Sequence, residues 1–312
     1  MTTALITHDA CLGHVTPEGH PERAARLAAV LRALKTEEFQ KLVWFEAPRA
    51  SREALERAHS PALVGLVLDE AAAQTRAGFV GIDSDTVMSA GSAEAALRAA
   101  GAVIRGVDGV MAGEFANAFC PIRPPGHHAE RDRAMGFCLF NNIAVGAMHA
   151  RAVRGVARIA AIDFDVHHGN GTQDIFSGDP GLFYASTHQW PLYPGTGRAG
   201  EHGVADNILN VPLPQGADGA MFRDALRKSI LPALEAFRPE LVLISAGFDA
   251  HRDDPLAGLA LVEDDFAWAT SEIRAVASRV CEGRVVSALE GGYDLAALAR
   301  SASAHVRALM EA

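Results

Sequence analysis

The stretch VARIAAIDFDVHHGNG, residues 156–171, joins a largely apolar run to a cluster of acids and histidines. The run lacks the alternation of a strand with one solvated face, and it predicts a strand over residues 156–164 that is buried on both faces, as in a parallel sheet. Asp163, Asp165, His167 and His168 then crowd at its carboxyl end. Ligands of parallel α/β sheets bind outside such strand ends.

The rest of the chain repeats this alternation of apolar runs with helical patterns. Further runs predict strands at residues 4–7, 115–122, 181–187, 240–248 and 284–292. Helical patterns predict helices at residues 21–35, 92–107, 141–153, 219–237, 264–280 and 295–310. Pro21 would take the first position of its helix, where a missing N–H costs nothing. With no linker, repeat or low-complexity tract, residues 1–312 are predicted to form one α/β domain with a mainly parallel sheet.

Polar residues follow several of these strands directly. His127 and His128 come soon after the run at 115–122, Asp249 follows another run and Tyr293 follows the last. Because the carboxyl ends of parallel strands meet at one edge of a sheet, we expect these side chains to lie near the acids and histidines quoted above.

Asp165 and His167 stand two positions apart, which places both side chains on one face of an extended segment. Asp249, from another strand end, would complete a set of two carboxylates and one imidazole. Three protein ligands with an open fourth position are typical of a catalytic zinc rather than a structural one. The sequence therefore predicts a catalytic metal site.

Composition argues against several other classes of protein. The 28 basic and 38 acidic residues give a net charge of −10, which argues against a nucleic-acid surface. The four cysteines form no C-x-x-C pair, so neither a cysteine-built zinc site nor a disulfide framework is indicated. The sequence begins without a signal-peptide pattern, and no apolar run reaches the length of a membrane span. We expect a soluble, cytoplasmic protein.

Six motifs, in this order, resemble the histone deacetylase and acetylpolyamine amidohydrolase superfamily: RPPGHH, GFCLFNN, DFDVHHGNGT, YPGTG, SAGFDAH and LEGGYD. With PEGHPER near residue 20, the resemblance extends over nearly the whole chain. Asn170 and the motifs YPGTG and DPL resemble the sequence pattern of the class II-like branch, which includes bacterial amidohydrolases. The resemblance implies a single arginase-like α/β catalytic domain around a parallel sheet of about eight strands.

The same resemblance implies the cofactor. Asp165, His167 and Asp249 would hold one Zn²⁺ per chain, with Fe²⁺ as an alternative in the cell. Such a metal polarises the substrate carbonyl and lowers the pKa of water. Family members also hold potassium near this site, and the matching positions here are Asp163, Asp165, His167, Ser186 and Thr187.

By resemblance, His127 and His128 are the general base and acid, since imidazole takes and gives protons near neutral pH. Asp163 would hold the second ring nitrogen of His127, and Asn170 that of His128. Because an anionic partner raises the pKa of a histidine more than an amide does, we expect His128 to be the principal proton shuttle. Tyr293 would donate a hydrogen bond to the developing oxyanion.

An acyl-chain tunnel is the last feature that the resemblance implies. Phe137 and Tyr193 would be its aromatic walls, and Gly136 would offer its carbonyl to the substrate amide. Many relatives have phenylalanine at the position of Tyr193, so the tunnel rim is expected to be more polar here. Leu256 is expected at the tunnel mouth.

Two other functions fit parts of the sequence. An arginase-like ureohydrolase has the implied fold but bridges two manganese ions through a D-x-H-x-D run, and the second acid is replaced here by Gly169. His251 is a further ligand candidate for a second metal. A catalytically inactive module that binds acetylated amines is expected to lack Tyr293, a catalytic histidine or a metal ligand, and all are present. A metal-dependent deacetylase is therefore favoured.

The sequence leaves the substrate open among acetyl-lysine proteins, acetylpolyamines and other N-acyl amines. Leu256 stands where a polyamine-selective branch of the family has a glutamate, and leucine cannot attract the secondary ammonium of a polyamine. Substrates of the acetyl-lysine type are therefore expected to be favoured over acetylspermidine. Asp83, Asp85 and Glu130 are the nearby acids that could replace the missing carboxylate. The oligomeric state is also open, with a homo-oligomer among the options.

Overall fold

Eight parallel strands form the central sheet of the computed structural model, which describes residues 2–311. In chain order the strands of the described residues, including two that lie outside this sheet, are β1 (Thr3–Thr7), β2 (Val43–Glu46), β3 (Val80–Gly81), β4 (Val87–Met88), β5 (Asn117–Cys120), β6 (Ile159–Asp163), β7 (Leu182–Gln189), β8 (Ile208–Leu213), β9 (Leu241–Ala246) and β10 (Val285–Leu289). β3 and β4 form a separate antiparallel hairpin. The large sheet has the order β2-β1-β5-β10-β9-β6-β7-β8, and each of its pairings is parallel.

Helices cover both faces of this sheet. They are α1 (Ala24–Ala33), α2 (Arg52–Glu56), α3 (Pro61–Gly65), α4 (Ala72–Gln74), α5 (Ser92–Met111), α6 (Asn142–Arg154), α7 (Asn170–Phe176), α8 (Gly219–Ala225), α9 (Leu231–Phe237), α10 (Glu263–Cys281) and α11 (Leu295–Met310). Wider π-helical turns at Leu66–Ala71 and Leu226–Ile230 join α3 to α4 and α8 to α9. The pattern that predicted one helix over residues 219–237 therefore spans two helices and the turn between them.

Two hydrophobic cores lie on opposite faces of the sheet. One core includes apolar side chains of α5 and α6, and the other includes those of α1, α10 and α11. Successive residues of β6 alternate between the cores: Ile159 and Ala161 belong to the first, and Ala160 and Ile162 to the second. Burial on both faces explains why this strand reads as a continuous apolar run.

The sequence did not predict β2 or β8, the two edge strands of the large sheet. β2 is mostly exposed, and only half of β8 is buried. Asn210 and Pro212 interrupt β8, so it has no continuous apolar run. β2 does belong to a short apolar run, residues 42–45, but a run of this length does not by itself distinguish a strand from a helix.

The prediction that Pro21 begins a helix was wrong, because α1 begins at Ala24. The residue after Pro21, Glu22, is fully buried and pairs with Arg26 at 3.0 Å and with Arg123 at 2.5 Å. These contacts hold the segment before the helix in the protein interior. A buried ion-pair network of this kind leaves no periodic signal in the sequence.

The topology places the predicted site on neighbouring strands. β5, β10, β9 and β6 lie side by side in the middle of the sheet. Their carboxyl ends lead into the segments that contain RPPGHH, LEGGYD, SAGFDAH and DFDVHHGNGT. Within residues 2–311, no helix is both long enough and apolar enough to cross a membrane.

Candidate active site

The carboxylates of Asp165 and Asp249 and the imidazole of His167 meet at the carboxyl ends of β6 and β9. One ligand atom from each residue lies within 4.8 Å of the others, and all three side chains are buried. His167 Nδ1 is 3.2 Å from Asp165 Oδ1 and 3.1 Å from Asp249 Oδ2. The structure thus brings together the three residues that the sequence predicted as metal ligands.

Backbone amides from neighbouring loops orient both carboxylates. Gly291 N–H, after β10, donates to Asp165 Oδ2 at 2.8 Å. Val166 N–H, after β6, donates to Asp249 Oδ1 at 2.9 Å. The loops after three strands are therefore tied together, and hydrogen bonds of this kind fix ligand geometry before any metal binds.

The charge of this cluster fits a cation. Asp163, Asp165, Asp249 and Glu290 are each at most 1% exposed. Burial and the charge of Asp165 raise the pKa of Asp249 to about 7. Several carboxylates buried together are costly unless cations or hydrogen bonds compensate them. Two carboxylate oxygens and one imidazole nitrogen are also donors that catalytic zinc accepts, so these residues fit that metal.

The structure leaves no room at Gly169 for the second acid of a binuclear centre. A Cβ atom there would lie 2.3 Å from Asp163 Oδ2 and 2.6 Å from the Tyr184 hydroxyl. His251, the other candidate for a second metal, instead has its Nε2 3.4 Å from the carboxylate of Glu263. These contacts argue against an arginase-like pair of metals.

His127 is buried between carboxylates. Its Nδ1 is 3.0 Å from Asp163 Oδ2, and its Nε2 is 3.8 Å from Asp165 Oδ1. Burial lowers the pKa of His127, but the charges of Asp165 and Asp163 outweigh burial and raise it to about 10. The ring is therefore stabilised in its protonated form.

His128 has a different environment, although its ring centroid is only 4.0 Å from that of His127. Its Nδ1 is 2.8 Å from Asn170 Oδ1. Burial and the charges of His127 and His167 lower the pKa of His128 well below its ordinary value. The pKa of His127 is therefore raised and that of His128 lowered, as expected from a carboxylate partner and an amide partner. The neutral form is favoured for His128.

A cavity of about 220 Å³ opens onto this centre. Three of its lining residues were predicted to act in catalysis or metal binding: His128, His167 and Tyr293. The four predicted tunnel residues also line it: Gly136, Phe137, Tyr193 and Leu256. Asp85 and Leu192 complete the wall. His127 is behind this surface, so His128 is the member of the pair that lines the cavity.

Aromatic side chains narrow the cavity. The ring of Tyr193 stands edge-on to His128, with ring centroids 5.2 Å apart, and Phe137 stands edge-on to Tyr293 at 6.0 Å. Tyr193 is 38% exposed, so it lies at the outer end. Two aromatic walls of this kind suit an aliphatic chain.

The turn that contains Phe137 has an uncommon backbone conformation. Gly136 and Phe137 have φ values of 58° and 67°, and left-handed values are rare for a bulky residue such as phenylalanine. Gly136 N–H donates to Asp85 Oδ1 at 3.1 Å, and Phe137 N–H donates to Thr86 Oγ1 at 3.0 Å. Asp85 and Thr86 lie in the turn between β3 and β4, so this hairpin turn holds the Gly136–Phe137 wall of the cavity in place.

Tyr293 is buried, and its ring lies under the guanidinium of Arg26 at 4.8 Å. Its N–H donates to Asp254 Oδ2 at 2.7 Å, and the preceding Gly292 has a φ of 123°, a conformation open to glycine. Burial and the charge of Asp249 raise the pKa of the phenol well above its ordinary value, against the opposing charge of Arg26. The phenol is therefore a hydrogen-bond donor at neutral pH.

The positions predicted for potassium are adjacent in the sheet. Asp163 at the end of β6 lies opposite Ser186 of β7, and Thr187 is the next residue. All three are buried. The Ser186 hydroxyl is 2.9 Å from His188 Nδ1.

The three acids considered as replacements for a tunnel-mouth glutamate have separate surroundings. Asp85 lines the cavity. Asp83 accepts a hydrogen bond from Arg133 at 3.1 Å, and Glu130 accepts one from Asn170 at 2.7 Å. Of the three, Asp85 is the acid in contact with the space that a substrate would enter.

Some residues of this site were not singled out from the sequence. Glu290 Oε2 accepts hydrogen bonds from Gly126 N–H at 2.6 Å and His127 N–H at 3.2 Å. The hydroxyl of Tyr184 donates to Asp163 Oδ2 at 3.1 Å. Glu290 belongs to the LEGGYD motif, so the sequence did contain a signal that could have identified it as a site residue. Nothing in the sequence marks Tyr184, because its contact with Asp163 depends on the pairing of β6 with β7.

Comparison with known proteins gives a consistent result. A model of the histone deacetylase domain family matches residues 20–309. A probable deacetylase of Archaeoglobus fulgidus is 38% identical over 301 residues, 95% of this chain and 82% of the relative. A histone deacetylase-like amidohydrolase of Pseudomonas aeruginosa is 43% identical over 252 residues, 80% of this chain and 65% of the relative.

A solved structure is similar over almost the whole chain. The crystal structure of the HDA15 HD domain superposes with a TM-score of 0.92 at 34% identity, covering 99% of this chain and 88% of that chain. The predicted α/β architecture with a sheet of about eight parallel strands is thereby confirmed.

Proposed function

This chain belongs to the histone deacetylase family, and from that membership we propose a zinc-dependent amidohydrolase that removes acetyl or short acyl groups from N-acetylated amines. A hydrolytic deacetylase is what the family and its amidohydrolase relative indicate. One observation supports the finer proposal most strongly. The predicted ligands Asp165, His167 and Asp249 converge beside a cavity that His128 and Tyr293 also line.

The proposed mechanism assigns a task to each side chain. Zinc held by the three ligands would polarise the substrate carbonyl and lower the pKa of water. His128 takes a proton from the attacking water and delivers it to the nitrogen of the leaving amine. His127, whose Nδ1 is 3.0 Å from Asp163 Oδ2, is proposed to supply positive charge beside the attacking water. Tyr293 donates a hydrogen bond to the carbonyl oxygen as negative charge develops on it.

Metal content tests the cofactor proposal. We expect about one tightly held transition-metal ion per chain, because three ligands converge on one position and Gly169 leaves no room for a second acid. Elemental analysis of the purified protein measures the ratio and distinguishes Zn²⁺ from Fe²⁺. Chelation should abolish hydrolysis of acetyl-lysine peptides, and added Zn²⁺ should restore it. A requirement for two manganese ions per chain would instead support a ureohydrolase.

The cavity mouth supports a preference among substrates. Leu256 lines the cavity and is 37% exposed, which gives the mouth an apolar edge suited to a peptide backbone or a compact amine. Asp85 favours the alternative substrates, because it lines the same cavity and its carboxylate would attract the ammonium of an acetylpolyamine. We propose acetyl-lysine-type substrates as favoured and acetylpolyamines as the alternative.

Substrate preference is tested by kcat/KM for an acetyl-lysine peptide, acetylputrescine and acetylspermidine. We expect the peptide to be the best substrate of the wild type. Leu256→Glu should improve acetylspermidine relative to the peptide by about tenfold, or ~1.4 kcal/mol. Asp85→Asn is the companion variant that removes the other carboxylate. A wild type that already favours acetylspermidine tenfold or so would overturn the argument from Leu256.

Two further proposals follow from family membership and sequence. Potassium would be held by Asp163, Asp165, His167, Ser186 and Thr187, and the adjacency of β6 and β7 supports this. A cytoplasmic location is supported by the four cysteines, which are all buried free thiols.

A further inference from the structure

The amide of Asn170, the partner of His128, has its own partner in Glu130. Asn170 Oδ1 is 2.8 Å from His128 Nδ1, and Asn170 Nδ2 donates to Glu130 Oε1 at 2.7 Å. The three side chains thus form a chain that runs from a carboxylate through an amide to the imidazole that lines the cavity. His127 has no such intermediate, since Asp163 contacts it directly.

This difference has a chemical consequence. A carboxylate accepts hydrogen bonds from either oxygen, so Asp163 requires a proton on His127 Nδ1. An amide accepts at one end and donates at the other, and rotating it by 180° would present a donor to the imidazole instead. Asn170 alone therefore does not determine which nitrogen of His128 bears the proton.

The surroundings of Asn170 Nδ2 decide the orientation. Besides Glu130 Oε1, its neighbours are the His128 carbonyl and Met135 Sδ, each at 3.4 Å. All three are acceptors, and Glu130 is the close and charged one. Asn170 is 5% exposed, so an unsatisfied amide there would be costly. The nitrogen therefore faces Glu130 and the oxygen faces His128.

Glu130 is itself fixed through its backbone. Its carbonyl oxygen is 2.9 Å from His59 Nδ1, and its N–H donates to the Arg133 carbonyl at 2.9 Å. His59 Nε2 accepts from Asn141 N–H, so its Nδ1 must be the donor to Glu130. In the part of the chain that the structure describes, the Glu130 carboxylate has no ion pair with lysine or arginine that would compete with Asn170.

We propose that Glu130 is a positioning residue that orients the Asn170 amide and thereby keeps the proton of neutral His128 on Nδ1, leaving Nε2 free as the base. The inference rests on the proposed function, in which His128 moves the proton. It explains how a neutral asparagine can fix the protonated nitrogen of His128, which a carboxylate would do without a second partner. Glu130 acts through Asn170 and contacts no substrate.

Glu130→Gln tests the inference, because glutamine keeps the size of the side chain but can accept or donate and so no longer dictates the amide orientation. We expect kcat to fall about tenfold, the lower end of the cost of losing an orienting partner, with metal content unchanged. KM for an acetyl-lysine peptide should stay within about twofold of the wild type, since binding is untouched.

Rescue separates positioning from a merely structural role. In the double variant Glu130→Gln/Asn170→Asp, the new carboxylate accepts from His128 directly and needs no orienting partner. Because a carboxylate also raises the pKa of His128, we expect kcat to recover to within about threefold of the wild type on the high-pH plateau of the pH profile, with the rise in kcat shifted to higher pH. A double variant no better than Glu130→Gln on that plateau, or a Glu130→Gln variant with wild-type kcat, would overturn the proposal.

The chain offers a matched control. Glu201 accepts from Gln173 Nε2 at 2.6 Å, and Gln173 Oε1 is 2.9 Å from His168 Nε2. This is the same carboxylate–amide–imidazole arrangement around a histidine that does not line the cavity. Glu201→Gln should therefore leave kcat unchanged. An equal loss in both variants would show that such chains serve stability alone, and would refute the positioning role.

A measurement on the wild type covers the case in which the variants fail to fold. The ¹⁵N NMR signals of the His128 ring, assigned with a His128→Gln variant, report which nitrogen is protonated. We expect the Nδ1–H form, and an Nε2–H form would contradict the inference. Because this reading needs no turnover, it stands even if the wild type hydrolyses none of the N-acetyl amines and the proposed function fails.

Discussion

Tyr293→Phe is expected to lower kcat for the best N-acetylated substrate by about 10²–10³-fold, or ~3–4 kcal/mol at the transition state. The change removes one hydroxyl from the cavity wall. That hydroxyl is the proposed donor to the carbonyl oxygen as it becomes an oxyanion, and donors of this kind act mainly in the transition state. KM should therefore change much less than kcat.

The structure predicts that this variant folds and binds metal normally. The Tyr293 N–H bond to Asp254 involves the backbone, and the packing of the ring against Arg26 and Phe137 does not need the hydroxyl. Metal analysis and thermal melting check both points. Asp249→Ala gives the contrasting result, because it removes a proposed ligand and should lower metal content together with activity.

Tyr193→Phe is the matched control for the loss of a hydroxyl. Tyr193 lines the same cavity, but it is 38% exposed at the outer end, away from the reacting carbonyl. Removal of the Tyr193 hydroxyl should change kcat by no more than a few-fold, which corresponds to about 1 kcal/mol. Near-normal turnover in Tyr293→Phe, or equal losses in the two variants, would show that Tyr293 has a structural role only.

The central part of the fold was predictable because burial on both faces leaves a clear pattern. β5, β6, β9 and β10 are buried along their lengths and mostly apolar, and the polar residues that follow them mark the edge of the sheet where the site forms. β8 lacks this pattern because Asn210 and Pro212 interrupt it, and the short apolar run of β2 does not by itself identify a strand. Pro21 has the residue type of a helix start, but the buried ion pairs of Glu22 override that preference.

The candidate site was predictable only as far as its residues lie in short motifs. Asp165 and His167 share one motif, so their relation is local. Asp85 approaches from the turn of a small hairpin, and its place in the cavity wall depends on how that hairpin packs. Glu130 was considered as an acid at the tunnel mouth, yet its carboxylate faces Asn170. The direction of a side chain in a loop is not encoded by spacing.

The absence of a side chain at residue 291 is a further constraint on the site. A Cβ atom on Gly291 would lie 2.0 Å from Asp249 Oδ2 and 2.6 Å from Asp165 Oδ2, far inside contact distance. Both of these oxygens belong to proposed metal ligands. Gly291 N–H also donates to Asp165, and alanine would keep that donor. Gly291→Ala therefore tests the space around the ligands without removing a charge or a hydrogen bond.

We expect Gly291→Ala to lower kcat/KM at least 10²-fold, since displacing catalytic groups by about 1 Å is enough for a loss of that size. Metal content should fall as well, because the two carboxylates cannot keep their positions around one ion. Overpacking should also destabilise the fold by about 1–3 kcal/mol, which thermal melting would measure.

Gly178→Ala is the control for this prediction. Gly178 is exposed, a Cβ atom there would meet nothing within 4 Å, and the expected change in stability is within about 0.5 kcal/mol, with activity and metal content unchanged. The close contact at Gly291, rather than the loss of a glycine, would then explain the difference between the variants. If Gly291→Ala binds a full equivalent of metal and turns over normally, the carboxylates of Asp165 and Asp249 can shift together by more than an ångström, and the metal position argued from their hydrogen bonds is wrong.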